Sequence, residues 1–252
     1  MKKLLNILTV MVVFSATAFS STRGDVTVIE ASENIRLLGQ KIAKDYLFYY
    51  KNPKKEILKE KLQQDIKLLE GSIIEIATIT KNRNSKNVLD FLAYNKDEIK
   101  EILTKEVNRE RSILMLDYGE TFLEGANSIF NEHKYEFSTE EKMLMLFKNL
   151  EYLLERISKY YVAYALKLDK NNNFKSMKEA IANVDDMLID INAYSYPDKL
   201  LVDVDKMNKI WKKHKHFLYE SDDMSIPNLM LSSNGILKNT IKKIALYHKQ
   251  NQ

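Results

Sequence analysis

Cysteine is absent from the 252 residues, which removes disulfides, thiol catalysis and thiolate metal sites. Glycine and proline are scarce, at six and three. Few positions can therefore break a helix, and the abundance of Leu, Ile, Lys and Glu favours long helices over strands and turns. Beyond residue 20 no run reaches the ~18 apolar residues of a spanning helix, so no later segment is expected to cross a membrane. No Gly-x-Ser-x-Gly elbow, phosphate-binding Gly-rich loop or His-Glu-x-x-His pair occurs. The expectation is a protein that is not an enzyme and calls for no cofactor and no metal. With 45% hydrophobic and 29% charged residues the chain can bury a real core. The fold class read from these features is all-α.

Residues 1–20 stand apart. Lys2 and Lys3 precede an apolar run from Leu4 to Phe14 interrupted only by Asn6 and Thr9, and small residues follow at Ala16, Ala18 and Ser20. This is the pattern of a secretory signal peptide cleaved after Ala18 or Ser20, implying a periplasmic protein; the alternative is an uncleaved amino-terminal membrane anchor. Cleavage would lower the formal net charge from +4 to about +2. A nearly neutral, exported protein does not suit a nucleic-acid partner.

Residues 21–31, polar to mixed in character, read as a lead-in linker, and the Arg23-Gly24-Asp25 tripeptide within them as a chance match to an adhesion motif. Ser32 is a plausible N-cap, with Ile35, Leu38, Ile42 and Tyr49 following at helical spacing until Asn52-Pro53. Leu58, Leu62, Ile66, Leu69, Ile73 and Ile76 make the clearest apolar stripe. Lys81–Ser85 marks a turn, Val88–Leu92 a short segment, and about Lys96–His133 one long helix. Ser138 and Glu141 form a capping-box pattern ahead of Leu150, Leu153, Ile157, Tyr161 and Tyr164. A turn at Asp169–Asn173 precedes a stripe from Met177 to Ile191, and helices near 199–218 and 228–249 complete the chain.

The halves align at an offset of about 115 residues. Asn34 meets Asn149, Leu38 meets Leu153, Lys41 meets Arg156, Lys44 meets Lys159 and Tyr46 meets Tyr161; Leu69 then meets Val184 and Ile76 meets Ile191. Farther on the offset drops to about 108, with Ile99 on Met207 and Ile102 on Ile210. The expected organisation is two tandem antiparallel helical-bundle units, residues 32–135 and 138–250, each of three or four helices.

The stretch from Arg36 to Leu47, Arg-Leu-Leu-Gly-Gln-Lys-Ile-Ala-Lys-Asp-Tyr-Leu, carries a resemblance. It looks like the Arg-Met-Leu-Ser-Gln-Arg-(Ile/Met)-Ala-Lys-x-Tyr signature of the amino-terminal sensory domain of PilJ-type transducers, the methyl-accepting chemotaxis proteins of type IV pili. That domain is related to the helical sensors of nitrate/nitrite-responsive histidine kinases. In those kinases the arginine matching Arg36 meets an anion at a symmetric helix interface. Here Gly39 replaces the signature serine, Lys41 the second arginine, Glu33-Asn34-Ile35 the usual Gly-Arg-Gln, and Glu151 stands at the Arg36 position of the second half.

The resemblance implies a sensory protein that binds a small molecule or anion and signals through a membrane receptor or kinase, with a homodimer a further partner. Arg36, Gln40 and Lys44 share one helix face, with Lys41 beside it; guanidinium and ammonium donors on such a face suit planar oxyanions. Arg156 and Lys159 are their counterparts in the second half. The plainer reading is a solvated polar face or helix-pairing ion pairs, and the competing function is a helical interaction or adaptor protein with no small ligand. The tyrosines flanking both motifs (Tyr46, Tyr49, Tyr50, Tyr160, Tyr161, Tyr164) read as core with hydroxyls at the rim. His214 and His216 lie on different sides of a helix, a poor metal pattern. Asn108–Arg111 reads as a mid-helix solvated face.

Overall fold

The computed structural model describes residues 23–219 and 227–252; the expected signal peptide lies outside them. Among the described residues there are eight α-helices and no strand. They are α1 (Arg23–Lys51), α2 (Glu56–Ile79), α3 (Arg83–Ile102) and α4 (Arg109–His133), then α5 (Thr139–Ala165), α6 (Lys170–Ala193), α7 (Asp198–Tyr219) and α8 (Pro227–Gln250). Around the first core α1 packs on α2 and α4, and α3 closes the ring against both. Around the second, α5 packs on α6 and α8, with α7 against α8 and more lightly against α6. The two groups meet where α1 packs on α5.

The apolar stripes built the cores as expected. Ile35, Ile42 and Tyr46 join Leu62, Leu69, Ile76, Leu92 and Phe122 in one cluster; Phe147, Leu153, Tyr161, Ile181 and Trp211 belong to the other. The capping box is present, Ser138 Oγ accepting from Glu141 N and the Glu141 carboxylate from Ser138 N.

Four expectations change. From Arg23 onward the supposed linker is helix, with Val28, Ile29 and Ala31 buried in it, and Ser32 is internal to α1, its hydroxyl donating to Ile29 O. The long helix over Lys96–His133 is two helices: Asn108 turns extended and caps α4 by accepting from Arg111 N, so Asn108–Arg111 is a helix start, not a mid-helix face. Val88–Leu92 belongs to the full-length α3, capped by Asn82. The shortened offset is absent too. Leu89, Leu92, Lys96 and Ile99 on the buried face of α3 correspond to Val204, Met207, Trp211 and His214 on α7, all at the same spacing of about 115.

Each helix group is tied at one end by a histidine. His133, in the last turn of α4, pairs through Nδ1 with Asp25 of α1 at 2.9 Å and through Nε2 with the hydroxyls of Thr80 and Ser85 at 3.0 and 3.2 Å. His248, near the end of α8, pairs through Nδ1 with Glu140 of α5 at 2.5 Å and stacks on Phe147.

Candidate functional site

Parallel packing of α1 on α5 creates the site, since Arg36 meets Asn149 and, two turns along, Lys44 meets Glu155. Small residues let α4 approach α1 from the other side. A β-carbon on Gly39 would lie 2.6 Å from that of Phe122, and one on Gly119 would lie 3.1 Å from that of Ala43. Against this scaffold lies a line of buried and half-buried polar side chains from α1, α4, α5 and α8.

Arg36 is 7% exposed. Its guanidinium donates to Asn149 Oδ1, pairs with Glu33 at 3.0 Å, and lies over the rings of Phe130 and Tyr152 at 5.7 and 5.3 Å. Burial raises the Glu33 carboxyl's pKa, with Arg36 and Lys148 opposing. Gln40 is fully buried and donates to Gly119 O at 2.7 Å. Lys44 is held between Glu155 at 2.6 Å and Asp45 at 3.1 Å. Burial alone would discharge Lys44, but these two carboxylates outweigh it and raise its pKa. Glu155 also receives Lys238 from α8, and the two ammoniums overcome burial to hold its pKa at about 2.

Lys41 is the exception on α1, since it turns toward α2 and pairs with Asp65. Arg156 and Lys159 converge on one carboxylate of α4, Glu120, with Arg156 at 2.7 Å. Arg156 also lies over the Tyr160 ring at 5.4 Å. Burial is the larger influence on fully enclosed Lys159 and lowers its pKa to about 8 despite that partner. For Glu120 the balance tips the other way: burial raises, but Lys159 and Arg156 prevail and lower its pKa.

The structure thus brings five of the six expected residues, Arg36, Gln40, Lys44, Arg156 and Lys159, onto one seam and sends Lys41 elsewhere. None of the six lies on a plain solvated face, and each already has a partner within the chain. The acids that pair with these residues, Glu33, Asp45, Asp65, Glu120 and Glu155, were not singled out in the sequence, although Glu33 stands three residues before Arg36 at ion-pairing spacing. The seam is not fully satisfied. Arg36 Nε, Glu33 Oε2, Gln40 Oε1, Tyr46 OH and Arg156 Nε are buried without a hydrogen-bond partner among the described residues.

His214 is buried against Ser233 and Trp211 while His216 is exposed, and no group of three potential metal ligands occurs among the described residues. No helix among the described residues is long and apolar enough to cross a membrane. No family model matches the chain, and neither a curated protein nor a solved structure matches it.

Proposed function

We propose that this is a non-catalytic, exported sensory protein of the kind the PilJ-type resemblance implies, in which the α1–α5 contact responds to a bound small molecule. The observation that carries this reading is the polar seam with its unpartnered atoms. Buried ion pairs are a poor way to stabilise a static interface, and hydrophobic residues of similar volume serve as well or better. Arg36 Nε, Glu33 Oε2 and Gln40 Oε1 add unused hydrogen-bonding capacity beside two aromatic rings. A small anion entering there would compete with Glu33 for Arg36 and shift α1 against α5, a movement that packed helices make by small sliding.

In this reading a membrane receptor or kinase detects the shift, and residues 1–20 export the chain to the periplasm or remain as its anchor. The two helix groups are copies of one ancestral unit. The constant spacing of their buried faces and the matching His133–Asp25 and His248–Glu140 ties favour that origin.

The test is thermal unfolding against a panel of oxyanions and other small polar molecules. At least one should raise Tm, a ligand at 100 times its Kd adding ~2.7 kcal/mol. The shift should vanish in Arg36→Ala while the helical circular dichroism persists. If no compound moves the unmutated protein, sensing through this seam is refuted. One observation favours a second reading, a helical interaction or adaptor protein with no small ligand: every expected binding residue already has a partner within the chain.

A further inference from the structure

The groove between α5 and α8 departs from the rest of the charged surface. Leu144, Phe147, Ala245 and Leu246 make an apolar floor, held in shape where Phe147 stacks on His248. Lys148, Lys242 and Lys249 stand at its edge with Glu151 in its wall, around a volume of about 200 Å³.

Glu151 is 9% exposed and forms no ion pair among the described residues, unlike the carboxylates of Glu33, Glu120 and Glu155. Burial raises its pKa, and Lys148, Lys242 and Lys238 oppose this only at a distance. The three edge lysines likewise have no carboxylate in contact among the described residues.

The other helix group explains why a groove exists here. Ala245 precedes His248 by three residues, as Phe130 precedes His133. In the first group the Phe130 ring covers Arg36, which is neutralised by Glu33. In the second group the acid Glu151 stands where Arg36 does, the base Lys148 where Glu33 does, and the covering ring is replaced by a methyl group. The same place in the fold is closed in one group and open in the other.

We propose that this groove binds a small zwitterion with an apolar side chain, namely a free apolar α-amino acid. The ammonium group meets Glu151, the carboxylate meets the lysine edge, and the side chain covers the apolar floor where the first group has Phe130. Charge-assisted contacts of both signs are what such a ligand needs and what a simple anion would leave half unused. The volume lies below the ~300–1,000 Å³ of sites for drug-sized molecules, which restricts the occupant to about a single amino acid. The groove is separate from Arg36, so this assignment does not depend on the seam being a ligand site.

Titration calorimetry on the full chain tests it, with L-leucine as the probe and isocaproate and isopentylamine as analogues lacking its ammonium or carboxylate group. Saturable binding of L-leucine is expected, with each analogue at least ~10-fold weaker, the factor that ~1.4 kcal/mol represents. Glu151→Gln should weaken L-leucine ~10-fold or more. Ala245→Phe should abolish binding by filling the groove while unfolding stays cooperative, and Gly71→Ala, on α2 of the other helix group with nothing within 4 Å of the added atom, should bind normally. No heat with L-leucine to ~10 mM, isocaproate binding as tightly as L-leucine, or unaltered binding by Ala245→Phe would each overturn the assignment.

Discussion

Replacing Glu155 by glutamine should be among the most damaging single changes in the protein. Its carboxylate is enclosed between α1, α5 and α8 and faces two ammonium groups, Lys44 at 2.6 Å and Lys238 in closer contact. Removing one member of a buried pair leaves the other uncompensated, at a cost of ~3–5 kcal/mol. Lys44 keeps Asp45 at 3.1 Å, which places the expected loss near the lower end. An independent route gives a similar size. The carboxyl is held at about 2 against an ordinary value of 4.5. At ~1.36 kcal/mol per pH unit this corresponds to roughly 3 kcal/mol. Because the folded value is depressed, the stabilisation is complete above about pH 4.5 and disappears as the pH falls through about 2. Urea unfolding of the wild type and Glu155→Gln from neutral pH to about pH 2 measures both quantities at once. The difference in unfolding free energy should be ~3 kcal/mol at neutral pH and shrink to near zero at the acid end. A difference below ~1 kcal/mol at neutral pH, or one that does not change with pH, would refute the reasoning.

Lys159→Met should change stability by no more than ~1 kcal/mol, because burial already lowers the lysine's pKa to about 8 and Glu120 retains Arg156; urea unfolding beside Glu155→Gln makes the contrast. His214 is held near 4 by burial alone, below its ordinary 6.5, so the unfolded chain takes up its proton first and stability should fall by roughly 3 kcal/mol as pH drops between those values. In His214→Leu that contribution to the acid limb should be missing. Gly39→Ala should destabilise by about 1–3 kcal/mol, less up to ~1 regained in helix propensity, because the new methyl group meets Phe122. Gly71→Ala, with nothing within 4 Å of the added atom, should instead stabilise by ~0.5–1 kcal/mol, and urea unfolding of both glycine variants checks the opposite signs.

Periodicity made the cores legible: the stripes from Leu58 to Ile76 and from Leu150 to Tyr164 became buried helix faces because burying apolar area dominates folding. Boundaries were less legible where local chemistry competes with periodicity. Nothing between Thr104 and Asn108 is glycine or proline, yet the Asn108 side chain caps a new helix there. Arg23–Ala31 read as a linker because Arg23, Gly24, Asp25, Thr27 and Glu30 interrupt its apolar residues, though Val28, Ile29 and Ala31 are all buried. The cations of the site were legible by type and spacing, but their partners were not. Glu120 and Glu155 come from other helices, and sequence spacing within one helix carries no information about which acids tertiary packing will bring across.

The α1–α5 pair also bears on how a symmetric helix interface can exist within one chain. Two identical copies of α1 packed about a twofold axis would place like residues in equivalent positions, with Lys44 facing Gln40 rather than an acid. In the present pair the position corresponding to Gln40 is Glu155, and it receives Lys44 at 2.6 Å. The position corresponding to Arg36 is Glu151, which removes a second arginine from the interface. Two different helices within one polypeptide can carry complementary residues at such positions, which a homodimer cannot achieve because each substitution appears twice. It also occupies the α1 face with α5, so that Arg36, Gln40 and Lys44 are buried within one chain. A homodimer would therefore have to form through a different surface, and light scattering that shows a monomer would be compatible with an intact seam.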